Sequence, residues 1–334
     1  MKNKFGGIFI LNESEIEEKD LMLLKLRANI IFDAGLGKLE NQLKDMENEY
    51  MNSIKNIGDD ETYAYIENNE PQALDLKYED LKYYNEYGGF SENGLEYNLK
   101  ISKENKLPTV WSMILANEHF GTLVTQNLGG FTWDENSRLK RISAWNNNPN
   151  MDIPSEIVYL KDKDTGETWT LSENLENSNQ NYYLNYGFGS VKLKTIRDEI
   201  LHDLETFVAK EDRAKISILK LKNTSSERKN IKLLYYIKPV MGEDEIKTSG
   251  YIKVNKENNV VFAKNLYNSE LVSNILYVSS NENIKSYTGS KKSFIGEGNL
   301  NNPISLNKVS LDNSSGLRRN VLCCSTNGNK YRSF

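Results

Sequence analysis

The chain has 334 residues, with 42 basic against 47 acidic side chains and a formal net charge of −5. That balance, with a pI near 5.4, excludes a protein that coats nucleic acid, which needs a basic field to displace counterions. No run approaches the ~18 apolar residues of a membrane-spanning helix, and only six prolines exclude a proline-rich disordered chain.

At roughly 150 residues per domain, about two domains are expected, enough to bury a core without disulfides. Asparagine is abundant, at 43 residues, and favours polar loops and turns. Met1–Leu11 imitates a signal peptide only weakly. Its apolar part is short, and acidic Glu13-Ser-Glu-Ile-Glu-Glu18 follows where a small-residue cleavage site would stand. The chain therefore reads as cytoplasmic, with no membrane partner, and the sequons at Asn12, Asn223 and Asn313 carry no meaning there. Cys323 and Cys324 are adjacent. Neighbouring cysteines rarely bridge each other, and two cannot close a metal site.

Residues 13–57 read as helix. Ser14 with Glu17 is a capping-box signature. Ile16, Leu21, Leu24, Ala28 and Ile31 lie near helical spacing, and Gly35-Leu-Gly37 interrupts them. The pattern resumes as Leu36, Leu39, Leu43, Met46 and Tyr50. This stripe is expected to pack on a neighbouring layer or to form part of an exposed apolar patch. Residues 58–82 are acidic and polar and read as a linker.

From Tyr83 the pattern changes to strands. Ile157–Leu160 and Glu167–Leu171 flank a turn ending in Gly166 and predict a hairpin. Ile200, His202, Leu204, Thr206 and Val208 alternate onto one strand face, with Asp203 and Glu205 opposite. In Lys215–Lys222 the apolar parity slips between Ile218 and Leu219, predicting a bulge or burial on both faces. Ile231–Val240, Tyr251–Val254, Val260–Ala263 and Asn274–Val278 read as further strands. Strands at this spacing without intervening helices predict antiparallel sheets packed as a sandwich.

Dinucleotide-binding, phosphate-loop and nucleophile-elbow motifs are absent. Only His119 and His202 exist. His202 sits in the apolar register of its strand and reads as a core histidine; His119 reads as a turn residue. The most loaded segment runs from Asn127 to Pro149 and holds Phe131, Trp133, Asp134, Glu135, Asn136, Arg138, Trp145 and Asn146. Sugars suit this mixture: aromatic faces stack on pyranose C–H groups, while amides and guanidinium serve the hydroxyls. The structural alternative is that Trp133 and Trp145 only anchor a long loop. Asp134 and Glu135 are adjacent, and on an extended strand their side chains would diverge, which counts against a glycosidase pair.

Several stretches resemble the N-terminal domain of glycoside hydrolase family 94. They are Tyr84-Asn-Glu-Tyr-Gly-Gly-Phe-Ser-Glu-Asn-Gly-Leu-Glu-Tyr97, the segment Pro108–Val124, and Gly129-Gly-Phe-Thr-Trp-Asp-Glu-Asn-Ser-Arg138 with Ala144-Trp-Asn146. Glu156–Trp169 and Phe294-Ile-Gly296 fit as well. The resemblance is strong over residues 84–315. The helical segment with Ile30-Ile-Phe-Asp-Ala-Gly35 resembles the region preceding this domain in 1,2-β-oligoglucan phosphorylases and cyclic β-1,2-glucan synthases.

The resemblance implies a mainly β fold, a large antiparallel β-supersandwich preceded by an N-terminal helical segment. The implied division is a helical segment and linker over 1–82, the sandwich over 83–315 and a divergent basic tail over 316–334. It implies inverting phosphorolysis of a β-glucan oligosaccharide, with inorganic phosphate as co-substrate and no cofactor or metal. The catalytic acid belongs to an (α/α)6 barrel that this sequence does not contain, so no catalytic residue is assigned. The partners implied are that barrel or a second copy of the chain. Trp133, Asn136, Arg138, Trp145 and Asn146 are the candidate sugar contacts. A stand-alone carbohydrate-binding module and an inactive remnant of an interrupted gene are the alternatives. Two departures stand out. Tyr186 precedes Gly187 where the family more often has His, and the tail carries Arg318, Arg319, Lys330 and Arg332 with no acidic residue.

Overall fold

The computed structural model describes residues 11–27, 32–44, 81–145, 147, 152–172, 180–267, 274–296, 298–315 and 320–331. The chain divides into two units, Met1–Tyr65 and Ile66–Phe334, a boundary inside the stretch read as linker.

In the first unit, helix α1 spans Glu18–Arg27, with Glu18 and Asp20 in its first turn, where acidic groups favour the helix dipole. The capping box gives way to a simpler turn: Ser14 donates from its backbone N and its Oγ to Asn12 Oδ1. The glycine break is a built feature. Asp33 caps a 3-10 turn over Ala34–Leu36, and Gly37 ends it at φ +89. Gln42 clasps the break, donating to Asp33 O at 2.8 Å and Gly37 O at 3.0 Å. Residues 39–44 are helical, with Leu39 and Leu43 exposed. Ala28, Ile31, Met46, Tyr50 and residues 58–80 lie outside the described residues.

The second unit is mainly β, and its strand pairings are antiparallel. One six-stranded sheet runs β1 (Gly88–Phe90), β2 (Glu96–Ile101), β9 (Tyr182–Gly187), β10 (Ser190–Arg197), β11 (Ile200–Val208) and β12 (Lys215–Asn223). The middle sheet runs β18 (Ile284–Ser290), β19 (Asn320–Tyr331), β13 (Lys229–Ile237), β7 (Glu156–Asp162) and β8 (Thr168–Thr170). A third runs β14 (Pro239–Gly242), β6 (Arg141–Ser143), β5 (Gly130–Asp134), β4 (Phe120–Thr125) and β3 (Ser112–Ala116). The fourth is β15 (Ile252–Glu257), β16 (Val260–Asn265) and β17 (Ile275–Ser279).

The middle sheet is buried on both faces. Leu160 and Ile231 meet Leu99, Leu184, Leu193 and Leu204 of the six-stranded sheet. Ile237, Leu322 and Cys324 meet Val254 and Val261 of the three-stranded sheet. On the opposite face Ile157, Tyr159, Leu234, Tyr236, Val321 and Cys323 pack on Phe294, Ile295, Leu306 and Leu311. Phe294 and Ile295 belong to a short helix, α3 (Lys291–Ile295), following α2 (Glu245–Thr248) in chain order. Each such side chain contributes about 1.5–3 kcal/mol when fully buried. Cys323 and Cys324 are free thiols on opposite faces of β19, as alternation along a strand dictates.

Within the segment read as a divergent basic tail over 316–334, Asn320–Tyr331 form strand β19 of the middle sheet. Asn320–Tyr331 pairs with β13 on one side and β18 on the other, and Val321–Thr326 are buried. Residues 316–319 and 332–334 lie outside the described residues. The parity slip in β12 marks no bulge: its register with β11 is unbroken from Lys215 to Asn223. As an edge strand it leaves Ile216 and Ile218 exposed while Leu219 and Leu221 face the core. The alternation read in β11 holds, with Ile200, His202, Leu204 and Thr206 buried.

Candidate functional site

Two glycines open the loaded segment. Gly130 has φ +94, and a Cβ there would stand 2.0 Å from Leu123 O; at Gly129 it would meet Asp152 Oδ1 at 2.5 Å. Asp152 is buried and accepts from Thr125 Oγ1 at 2.6 Å and Asn127 Nδ2 at 3.1 Å. The backbone turn thus rests on a polar cluster that leaves no room for side chains.

Beyond it, β5 carries Phe131 and Trp133 on one face. Trp133 stands opposite Gly121 across the β4–β5 pair. A Cβ at Gly121 would lie 2.3 Å from Trp133 Cζ2, so the indole covers the bare backbone. Phe131 is buried and stacks on Trp145 at 4.7 Å with a 20° interplanar angle; Trp133 tilts against it at 5.1 Å. The Arg141 guanidinium lies 5.7 Å from the Phe131 ring and 5.8 Å from the Trp145 ring. Trp133 and Trp145 are both half-buried.

The polar members of the candidate set have structural partners. Asn136 Oδ1 accepts from the backbone N of Arg138 at 2.9 Å and of Leu139 at 2.8 Å, which folds the tight turn into β6. Arg138 reaches Glu243 Oε1 from Nε and from its terminal nitrogen, each at 3.2 Å. Asn146 lies outside the described residues. The structure therefore brings Trp133 and Trp145 together around Phe131 and sets Asn136 and Arg138 in the adjoining turn.

Asp134 and Glu135 do not diverge. Glu135 leaves the strand conformation at φ +56, and both carboxylates turn to one residue. Arg213 donates to Asp134 Oδ1 at 2.7 Å and to Glu135 Oε1 at 2.8 Å. Lys140 also bonds Glu135. Hydrogen bonds from Lys140 and Arg213, with their charges, hold the Glu135 carboxyl at about 2. A general acid needs the opposite, a raised value. His119 sits in the turn between β3 and β4, where its N donates to Asn117 Oδ1 and its O accepts from Glu135 N.

Sequence reasoning missed Glu156, a buried carboxylate with four donors. It accepts from Thr132 Oγ1 and Ser143 Oγ at 2.7 Å, Lys215 Nζ at 2.8 Å and Tyr235 OH at 3.1 Å. These donors come from β5, β6, β12 and β13, so one carboxylate ties three sheets together. Burial opposes its ionisation, but Lys215 and the hydroxyl donors override that and hold it at about 2. Nothing in a single strand pattern marks such a residue. His202 is the buried core histidine expected: its Nε2 accepts from Trp169 Nε1 at 3.0 Å, and burial pushes it down to about 4.

No group of His, Cys, Asp and Glu among the described residues could hold a metal ion. No described helix is long and apolar enough to cross a membrane.

The sequence is similar to those of several known proteins. A cyclic beta-(1,2)-glucan synthase, NdvB, of Rhizobium meliloti (strain 1021) is 24% identical over 295 residues, 86% of this chain but 10% of that protein. An N,N'-diacetylchitobiose phosphorylase of Vibrio furnissii is 24% identical over 221 residues, 63% of this chain and 27% of that protein. A 3-O-beta-D-glucopyranosyl-beta-D-glucuronide phosphorylase of Paenibacillus borealis is 24% identical over 148 residues, 44% of this chain and 18% of that protein. The chain thus spans about a tenth to a quarter of the length of these relatives. The supersandwich domain of glycosyl hydrolase family 94 matches residues 95–326, from β2 through the buried part of β19. Covering more than half of the chain, that match makes this protein a member of the glycosyl hydrolase 94 supersandwich family.

Proposed function

We propose that the chain is the non-catalytic supersandwich part of a β-glucan phosphorylase or glucan synthase, β-1,2-glucans being the preferred substrate. The observation that carries the reading is the supersandwich match over 95–326 of this chain, beside its similarity to relatives of which it spans about a tenth to a quarter. In this reading the chemistry belongs to a catalytic barrel, with a second copy of the chain as the alternative partner. There a phosphate oxygen attacks the anomeric carbon, the glycosidic bond breaks, and a carboxylic acid gives its proton to the departing oxygen. The ion-paired state of Asp134 and Glu135 agrees with a sandwich that supplies no such acid.

The sugar contact we assign to the loop holding Trp133, Asn136, Arg138, Trp145 and Asn146, with Trp145 as its platform. What supports this is an indole stacked on Phe131 beside Arg141 yet only half-buried. Aromatic stacking contributes about 1 kcal/mol and each neutral hydrogen bond about 0.5–1.5 kcal/mol. After the cost of association, affinity in the millimolar range is expected, about −4 kcal/mol.

Two measurements test the reading. Incubated with sophorose or longer β-1,2-glucans and phosphate, the chain alone should release no glucose 1-phosphate. Turnover abolished by a substitution within this chain would refute the non-catalytic assignment. Titration of β-1,2-gluco-oligosaccharides should shift the Trp145 indole NMR signal, and folded Trp145→Ala should bind more weakly. Equal binding by that variant would refute the sugar contact.

A further inference from the structure

Two lysines stand directly opposite each other on the middle sheet. Lys161 of β7 pairs in register with Lys232 of β13, so both side chains leave the same face. That face carries Ile157, Tyr159, Leu234 and Tyr236 and is covered near its end by the 3-10 turn Ile304–Leu306. Like charges directly opposite each other destabilise a sheet. Here one of them is also buried, since Lys232 is only 4% exposed.

Among the described residues, buried Lys229 and half-buried Lys215 are matched by carboxylates. Lys229 meets Asp198 at 2.6 Å and Asp162 at 3.7 Å, and Lys215 meets Glu156 at 2.8 Å. Lys232 meets none among the described residues. Its Nζ donates to the Lys308 carbonyl at 2.7 Å, and Lys161 Nζ donates to Asn307 Oδ1 at 2.8 Å. Each ammonium has three donors, so neutral oxygens satisfy a minority of them and none of the charge. Lys308 adds a third cation, its Nζ on Ser293 O at 3.0 Å. Burial, with the charges of Lys161 and Lys163, pushes Lys232 down to about 8, so at neutral pH it is still mostly protonated. An uncompensated buried charge destabilises the fold, and a second cation beside it adds to that cost.

We propose that Lys161 and Lys232 form a binding site for an oxyanion of phosphate type, which supplies the counter-charge that the fold withholds. The anion would sit against the two ammonium groups at the edge of the 304–308 turn. The shared chemistry is a multiply charged oxyanion, either free or carried by a sugar.

The test uses the full chain at pH 7 and constant ionic strength, with chloride as reference. Inorganic phosphate and a hexose 1-phosphate are the two probes, read by 31P NMR line broadening and by the thermal unfolding midpoint. The wild type should broaden at least one 31P signal and melt higher in that anion than in chloride. Lys161→Gln, at a partly solvated position, should bind at least tenfold more weakly. Lys232→Met should lose the anion response and melt higher than wild type in chloride. Stronger binding of the hexose 1-phosphate would assign a sugar-borne anion, and equal binding a free one. No response in the wild type, or a response in both variants as large as the wild type's, overturns the proposal.

Discussion

Glu156 and Glu135 make an instructive pair. Each meets a lysine, each accepts several hydrogen bonds, and both carboxyls are held at about 2. Their settings differ completely. Glu156 is 10% exposed by side chain and takes donors from four strands, whereas Glu135 is 43% exposed and belongs to a surface turn. A carboxyl in water already has good solvation, so its ion pairs replace water at little net gain. A buried carboxylate has no such alternative, and the cost of removing a partner is large. The two residues share a titration value but not a structural role.

The largest effect is expected at the buried junction. Glu156→Ala takes the shared acceptor from the Lys215 ammonium and from the Thr132, Ser143 and Tyr235 hydroxyls, and should cost about 3–5 kcal/mol. Urea unfolding monitored by tryptophan fluorescence measures it. Adding Lys215→Met should recover much of the loss, because the stranded charge goes with it. No recovery would show that the hydroxyl network, and not the ion pair, holds the three sheets.

Acid unfolding separates two windows. His202 has a folded value of about 4, below the ordinary ~6.5 of histidine. Between those values the unfolded chain takes a proton that the fold refuses, so stability falls as pH drops from about 6.5 to 4. The loss is about 3 kcal/mol. Glu156 is depressed to about 2, so its contribution is present above ~4.5 and is lost as pH falls towards 2. Glu156→Gln should flatten the lower window and leave the upper one unchanged.

The fold was more legible than the site, and the reason is locality. The β7–β8 and β15–β16 hairpins join strands a few residues apart, and their alternation and turn glycine or asparagines are visible in sequence. Strand β19 pairs with β13, some ninety residues earlier, and its small and polar residues, Cys323, Cys324, Ser325 and Thr326, carry no strong strand pattern. Burial there comes from both neighbouring layers, which no local window contains. Glu156 was missed for the same reason: its donors lie at 132, 143, 215 and 235. The aromatic loop was found because Phe131, Trp133 and Trp145 are close in sequence, while Arg213, which binds its two carboxylates, comes from a distant hairpin.

A middle-sized effect should distinguish the two tryptophans. Gly121→Ala drives a methyl group into the Trp133 indole, and overpacking of this kind costs about 1–3 kcal/mol. Trp145 has no such backbone partner among the described contacts, so Trp145→Ala should cost less stability than Trp133→Ala, whose loss uncovers Gly121. Thermal unfolding of the three variants tests the order. A larger loss at Trp145 would make that ring the anchor of the loop and remove the case for it as a sugar platform.

The smallest effect belongs to the exposed cluster. Arg213→Gln removes the fork that joins Asp134 and Glu135, while Lys140 still meets Glu135. Because these groups face water, the global unfolding midpoint should stay where it is in the wild type, and adding salt should not separate the two proteins further. The turn at 134–140 has other supports, chiefly Asn136 Oδ1 on two backbone N–H groups. What Arg213 contributes is the tie between this turn and the β11–β12 hairpin, which Asn117 also holds by donating to Ala209 O and Asp212 O. Hydrogen exchange should therefore speed up at residues 134–140 and 209–214 while the strands of the middle sheet keep their protection. If exchange in the middle sheet rose as well, the surface cluster would be coupled to the Glu156 junction, and the contrast between the two carboxylates would fail.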